Sequence, residues 1–175
     1  SQVTAFRQAH FWILFCLPLA GLVILALYHI LNMDNDGGTE FILASVRDAR
    51  QLHVRQVPLI FIATVLTHLT GGSAGREGAA LQIGGSMGNK LGQLLHLDDR
   101  DERMITMAGM AAGFSALFGT PIGAAVFAME VESVGVMYYS AIVPCFLSAL
   151  VAKWVASALG IAATGFTLAS APHLT

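Results

Sequence analysis

The densest chemistry in this sequence lies in one short segment, Gly71-Gly72-Ser73-Ala74-Gly75-Arg76-Glu77-Gly78, set between two apolar stretches. A helix that begins inside a membrane leaves its first N–H groups without intrahelical partners. Together with the helix dipole, that end is a binding place for an anion. Glu77, at the start of such a helix, would be held there as a free anion would be, although a carboxylate at membrane depth costs about 2.5–3.5 kcal/mol even on lenient insertion scales. Carboxylate and anion would compete for one place, and protonating Glu77 would remove its charge and vacate it. One residue would then serve as gate and as proton carrier. The alternative reading of the same spacing is a glutamate paired with Arg76 that only stabilises the helix terminus.

Two other breaks have the form of a helix start: Asp36-Gly37-Gly38-Thr39 before Glu40, and Gly119-Thr120-Pro121 before Ile122. Pro121 suits a first helical position because its missing N–H would have had no partner there. A rival chemistry comes from Gly71-Gly72-Ser73-Ala74-Gly75, which fits the Gly-x-Ser-x-Gly nucleophile elbow and would make Ser73, with His68 or His53, the centre of an intramembrane serine hydrolase. The elbow should follow a β-strand, and no strand–helix alternation is visible. No Gly-x-x-x-x-Gly-Lys-Ser/Thr is present, since Lys90 stands between Asn89 and Leu91. The six histidines are scattered without metal-ligand spacing, and Cys16 and Cys145 lie in apolar runs. Neither set implies a metal, a disulfide or a cofactor.

The elements that must position these residues are membrane elements. Of 175 residues, 55% are hydrophobic and 11% charged, with a mean hydropathy of +0.69. Soluble domains carry about 25% charge, so the exterior of this chain is expected to face a lipid bilayer. The net charge of -2, with no dense basic cluster, excludes nucleic acid as a partner. Phe11 to Leu31 is 21 residues without an acid or base, long enough as a helix to cross about 30 Å of hydrocarbon, with Pro18 expected to bend it. Arg47 to Arg55 holds three arginines and is placed on the cytoplasmic side by the positive-inside rule.

Val57 to Leu69 and Phe41 to Val46 are apolar but short. Ala79 to Leu97 carries Gly84, Gly85, Gly88 and Gly92 at spacings that put a small-residue face toward a neighbouring helix. Asp98 to Glu102 reads as a solvated turn, Met104, Met107 and Met110 as packing residues, and Val134 to Ala163 as a long apolar run interrupted by Lys153. Trp12 and Trp154 suit an aromatic belt. Short segments broken by Gly and Pro at membrane depth are tolerated only when buried in protein or lining an aqueous cavity, which marks a transporter or channel rather than an anchor.

The run GREGAALQIGGSMG, from Gly75 to Gly88, resembles the signature region of the CLC chloride channel and chloride/proton antiporter family, where Gly-Arg-Glu-Gly-Pro precedes Gln-Ile-Gly-Gly. Phe118-Gly119-Thr120-Pro121-Ile122, with Phe127 and Glu130, is similar to that family's later proline-containing helix start and its Phe-x-x-Glu ending. Asp36-Gly37-Gly38-Thr39-Glu40 falls where the family has its Gly-Ser-Gly-Ile-Pro-Glu anion-binding turn. The resemblance covers nearly the whole chain. It implies an all-α membrane protein, a CLC-like broken-helix bundle, in which residues 1–175 form a single transmembrane unit. That unit is most of the first half of an inverted repeat, without the opening helix or the second half, and is not expected to conduct alone.

The resemblance further implies transport of chloride or another halide, with proton exchange possible, by a homodimer in a bacterial inner membrane, and no enzymatic activity. Glu77 matches the gating glutamate. Gly75, Arg76, Gly78 and Ala79 match the external anion site, and Asp36, Gly37, Gly38 and Thr39 the central-site turn. Phe127 to Glu130 closes a helix expected to join the dimer interface. Three positions depart from the family pattern. Ala79 replaces its proline. Asp36, beside Asn35, replaces its anion-coordinating serine. Val131, between Glu130 and Glu132, replaces the inner proton-transfer glutamate of the antiporters. The Gly-Thr-Pro form and the altered turn are closer to divergent bacterial members, which include fluoride/proton antiporters.

Overall fold

Proline, glycine and short polar runs cut this apolar sequence into helices that are mostly too short to cross a bilayer alone. The computed structural model describes residues 11–33, 38–48, 52, 54–131 and 138–163. Its α-helices are α1 (Leu17–Ile30), α2 (Thr39–Asp48), α3 (Gln56–Leu69), α4 (Arg76–Leu94), α5 (Asp99–Phe118), α6 (Pro121–Glu130) and α7 (Ile142–Ala158). Two 3-10 segments, Phe11–Cys16 and Tyr139–Ala141, run directly into α1 and α7. No strand occurs among the described residues, and the expected all-α, broken-helix architecture is what forms. Among those residues only Tyr139–Ala158 is long and apolar enough by itself to span a membrane. Helices α1 and α3 have 14 residues each and α6 has 10, or about 21, 21 and 15 Å at 1.5 Å per residue.

Two expectations about the elements are corrected. Phe11 to Leu31 is not one bent α-helix: Phe11–Cys16 is 3-10, and Pro18 sits in the first turn of α1. There its missing N–H removes no intrahelical bond, so it starts the helix instead of kinking it. Asp98 to Glu102 is not a solvated turn. Asp98 caps α5, its Oδ1 accepting from the Asp101 N–H at 2.8 Å. Asp99, Asp101 and Glu102 fill the first turn, where the helix dipole favours negative charge.

Small residues decide the tightest packing. Helix α4 packs most extensively on α5, and α5 then packs on α7 and α6. At the α4–α5 crossing a Cβ on Gly84 would overlap the Gly109 carbonyl, and one on Gly109 the Gly84 carbonyl. Gly88 meets the Ile105 carbonyl and Gly113 the Ala80 carbonyl in the same way. The two backbones therefore touch, the close approach that small residues permit in membranes. Around this seam Ile42, Met107, Met110, Met129 and Cys145 are fully buried.

Hydrogen bonds lock the neighbours. Ser115 Oγ donates to the Ala149 carbonyl at 2.7 Å, and Ser148 Oγ to the Ala108 carbonyl at 2.8 Å, joining α5 to α7. The buried Asn89 accepts from the Leu52 N–H at 3.0 Å and donates to Glu102 Oε1 at 2.8 Å, fastening the α2–α3 connection to the α4–α5 pair. Large apolar side chains point outward instead, among them Trp12, Leu22, Leu25, Phe61, Leu147 and Trp154. Such a surface is the pattern of a bilayer-facing exterior rather than of a solvated one.

The crossing makes a sharp test. Gly109→Val is expected to lower stability by at least the roughly 1–3 kcal/mol typical of overpacking, because the obstructing atoms are backbone. Gly21→Ala, where a Cβ meets nothing within 4 Å, should be neutral or stabilising, since alanine is the better helix former. Thermal unfolding of the two variants in detergent, followed by loss of the monodisperse species, checks the contrast.

Candidate functional site

Two helices start beside each other and leave a cleft between them. Gly38 takes a left-handed turn (φ +61), and its carbonyl accepts from the Ile42 N–H at 3.4 Å, opening α2 at Thr39. Helix α4 opens from Gly75 in extended conformation (φ -64, ψ 126), with no side chain capping it. Unlike α5, which its own Asp98 caps, α4 keeps its first-turn N–H groups unclaimed by any side-chain cap. The chain reaches this start by a tight reversal after α3, in which the Gly72 N–H bonds the Thr67 carbonyl at 2.8 Å. That reversal lays the first turn of α4 against the body of α3.

The resulting cleft measures about 490 Å³ and is walled by α1, α2, α3 and α4. Of the residues expected from sequence, Gly38, Thr39, Gly75, Gly78 and Ala79 line it. Gly78 is needed for the fit, because a Cβ there would stand 2.7 Å from Thr39 Oγ1. Arg76 and Glu77 are exposed and stand outside the lining. Glu77 nonetheless curls back over its helix start, with Oε2 only 3.1 Å from where a Cβ on Gly75 would be. Among the described residues no ion pair joins Glu77 to Arg76. Asp36 and Gly37, with Asn35, lie outside the described residues.

Sequence reasoning missed three polar members of the lining: Tyr28 from α1, Thr64 from α3 and Gln82 from α4. Gln82 Nε2 donates to Thr39 Oγ1 at 3.2 Å, so it bridges the two helix starts. The signal was present, since Gln82 follows Gly78 by four residues and so shares its helix face. Among the described residues, no acidic or basic side chain lines the cleft. Its electrostatics come from hydroxyl, amide and backbone dipoles and from the positive ends of two helices, each equivalent to roughly half an elementary charge. The positive helix ends and the hydroxyl and amide N–H donors of such a lining suit a small monovalent anion.

The third glycine-proline break lies elsewhere. Gly119 (φ +70) and Thr120 link α5 to α6, which packs on α5 and α7 and does not reach the cleft. Phe127 stacks on Phe114 with ring centroids 4.8 Å apart, and Glu130 is exposed at the end of α6. Val131 is the C-cap of α6, and Glu132 lies outside the described residues. The hydrolase alternative finds no support. Ser73 is exposed in an irregular link that follows a helix, so no strand-to-helix elbow exists there. His68 Nδ1 is bonded to the Thr64 carbonyl of its own helix at 2.8 Å, and His53 lies outside the described residues.

A profile of the family described as voltage gated chloride channel matches residues 19–175. The chain is 39% identical over 169 residues to the chloride/fluoride channel protein of Pseudomonas syringae pv. tomato, an alignment that spans 96% of this chain and 37% of that one. It is 35% identical over 77 residues to the H(+)/Cl(-) exchange transporter ClcA of Citrobacter koseri, covering 43% of this chain and 16% of the relative. A crystal structure of a CLC-type fluoride/proton antiporter is similar with a TM-score of 0.87 at 34% identity, over 99% of this chain and 44% of that chain. The chain thus spans less than half the length of each of these relatives.

The turn at Gly38 carries its own expected outcome. A Cβ there meets Gln82 Nε2 at an ordinary 3.6 Å, so the cost of substitution is conformational rather than steric. Gly38→Ala should lose about 1–2 kcal/mol, while Gly38→Asn, which tolerates the left-handed region, should lose less. Thermal unfolding of both variants in the same detergent measures the difference.

Proposed function

Because the chain belongs to the voltage-gated chloride channel family, we propose that it forms the first repeat of a CLC-type halide transporter, to which it brings two anion-binding helix starts and a gating carboxylate. The observation that carries this reading is the convergence of the α2 and α4 N-termini on one cleft whose described lining residues carry no charged side chain. Two half charges of dipole origin sum to roughly one elementary charge. They balance a single halide without a fixed cation that would hold it too tightly to leave. The first-turn N–H groups at Arg76, Glu77, Gly78 and Ala79 face an anion from one side, and Gly38 and Thr39 line the cleft on the other.

Glu77 is the gate. Its place in the first turn of α4, with the carboxylate folded back beside Gly75, lets it take the position of the anion when ionised. Protonated, it has no charge to compete with, and it leaves carrying a proton. Chloride and fluoride are the substrate candidates, since the relatives are named for chloride/fluoride, H(+)/Cl(-) and fluoride/proton transport. Residues 1–175 act as one transmembrane unit embedded in lipid, in a bacterial inner membrane. A second copy is the partner for the exposed apolar side chains of α6 and α7, such as Ile122, Val143 and Leu147.

The test uses the full-length polypeptide reconstituted in liposomes. Glu77→Gln removes the titratable group while keeping its size, and halide flux is expected to lose its pH dependence and its coupling to proton movement. Flux and pH profile unchanged from the unsubstituted protein would remove Glu77 from the gate. Fluoride and chloride run side by side in that assay give the selectivity.

A further inference from the structure

The two helix starts are held together by side chains, in a way that the backbone account of the anion site leaves unused. Gln82 Nε2 donates to Thr39 Oγ1 at 3.2 Å across 43 residues of sequence. The same nitrogen lies 3.6 Å from where a Cβ on Gly38 would stand and 3.9 Å from where one on Gly78 would stand. It is therefore placed between the α2 and α4 starts, against both. A primary amide has two N–H donors, and a hydroxyl that accepts one bond keeps its own hydrogen. Once the Gln82–Thr39 bond is made, one amide N–H and the Thr39 O–H remain, and among the described residues no other hydrogen bond uses them. Both residues line the cleft.

We propose that Thr39 and Gln82 form a side-chain donor pair of the anion site, with Thr39 touching the halide and Gln82 positioning Thr39, and that the pair favours fluoride over chloride. The proposal rests on the reading of the cleft as a halide site. Its chemistry is general. A hydroxyl that already accepts a hydrogen bond is polarised and donates more strongly, by about 10–30% per bond in the condensed phase. Fluoride, the smaller ion with the higher charge density, gains most from short directional donors and loses most in dehydration. Chloride, larger and softer, is served nearly as well by the diffuse field of the helix ends. Gly78 has no side chain to block the approach, and among the described lining residues no acidic group opposes the ion.

The full-length polypeptide in proteoliposomes, with fluoride and chloride as separate substrates, tests this through half-saturation and maximal flux. Thr39→Val is expected to raise the fluoride half-saturation concentration at least about tenfold, the scale of one hydrogen bond to a charged group. It should raise that for chloride distinctly less, and Thr39→Ser should restore both. Gln82→Leu should produce a smaller shift in the same direction, and the double variant no more than Thr39→Val alone, because Gln82 acts through Thr39.

Should Thr39→Val fail to fold, Gln82→Glu, which keeps the shape but replaces both N–H donors with acceptors, carries the same expectation of weakened fluoride saturation. Half-saturation values that stay at the unsubstituted level, equal losses for the two ions, or effects of Thr39→Val and Gln82→Leu that simply multiply would overturn the pair. Absence of any halide flux in the unsubstituted protein would instead remove the transport reading, and the pair with it.

Discussion

A peptide N–H inside a membrane must find a partner, and a helix that begins there has several that its own backbone does not serve. The rest of this structure depends on that constraint. Helices α2 and α4 start beside each other with their first turns facing a common cleft. The start at Gly75 has no capping side chain. By contrast, the start of α5 is closed by Asp98. In the proposed reading an anion completes this open pair of helix starts, and the carboxylate in the first turn of one of them competes with it. Gate and site are, in that proposal, one electrostatic arrangement.

Holding two such starts in place requires a scaffold that does not yield, and glycine provides it. The α4–α5 seam brings backbone against backbone at Gly84, Gly88, Gly109 and Gly113. Serine hydroxyls then tie α5 to α7, and Asn89 ties the α2–α3 connection to α4 and α5. With the interior built from small and mid-sized residues, the bulky ones are turned outward, which inverts the pattern of a soluble domain. The polar bonds between helices are worth about 0.6–2 kcal/mol each in membranes, so it is their number and the close backbone contact together that fix the bundle.

Much of this was legible in the residues. The charge deficit marked a membrane protein, and the three glycine-containing breaks marked three helix starts, two of them to within a residue and that of α4 three residues late. The glycines of α4 lie on a face that packs against a neighbour, and Met107 and Met110 are core. The misreadings have local causes. Pro18 was read as a kink because a continuous apolar run hides the change from 3-10 to α-helix. The acidic run from Asp98 reads as a solvated turn because its charge density masks the capping chemistry that opens α5. The Gly-x-Ser-x-Gly pattern at Ser73 was a coincidence of composition, since the element before it is a helix.

Periodicity, composition and the special conformational demands of glycine and proline act over a few residues, and the sequence by itself determined what they control: the membrane environment, the all-α class, the broken helices and the glutamate at a helix start. Which starts face one another is a matter of how distant segments pack. Only the tertiary structure separated the α6 start from the pair formed by α2 and α4, and placed Tyr28, Thr64 and Gln82 in the wall of the cleft. The bond between Thr39 and Gln82 spans 43 residues. No local pattern encodes a contact of that kind, because it exists only once the α4–α5 seam and the reversal after α3 have set the distance between the helices.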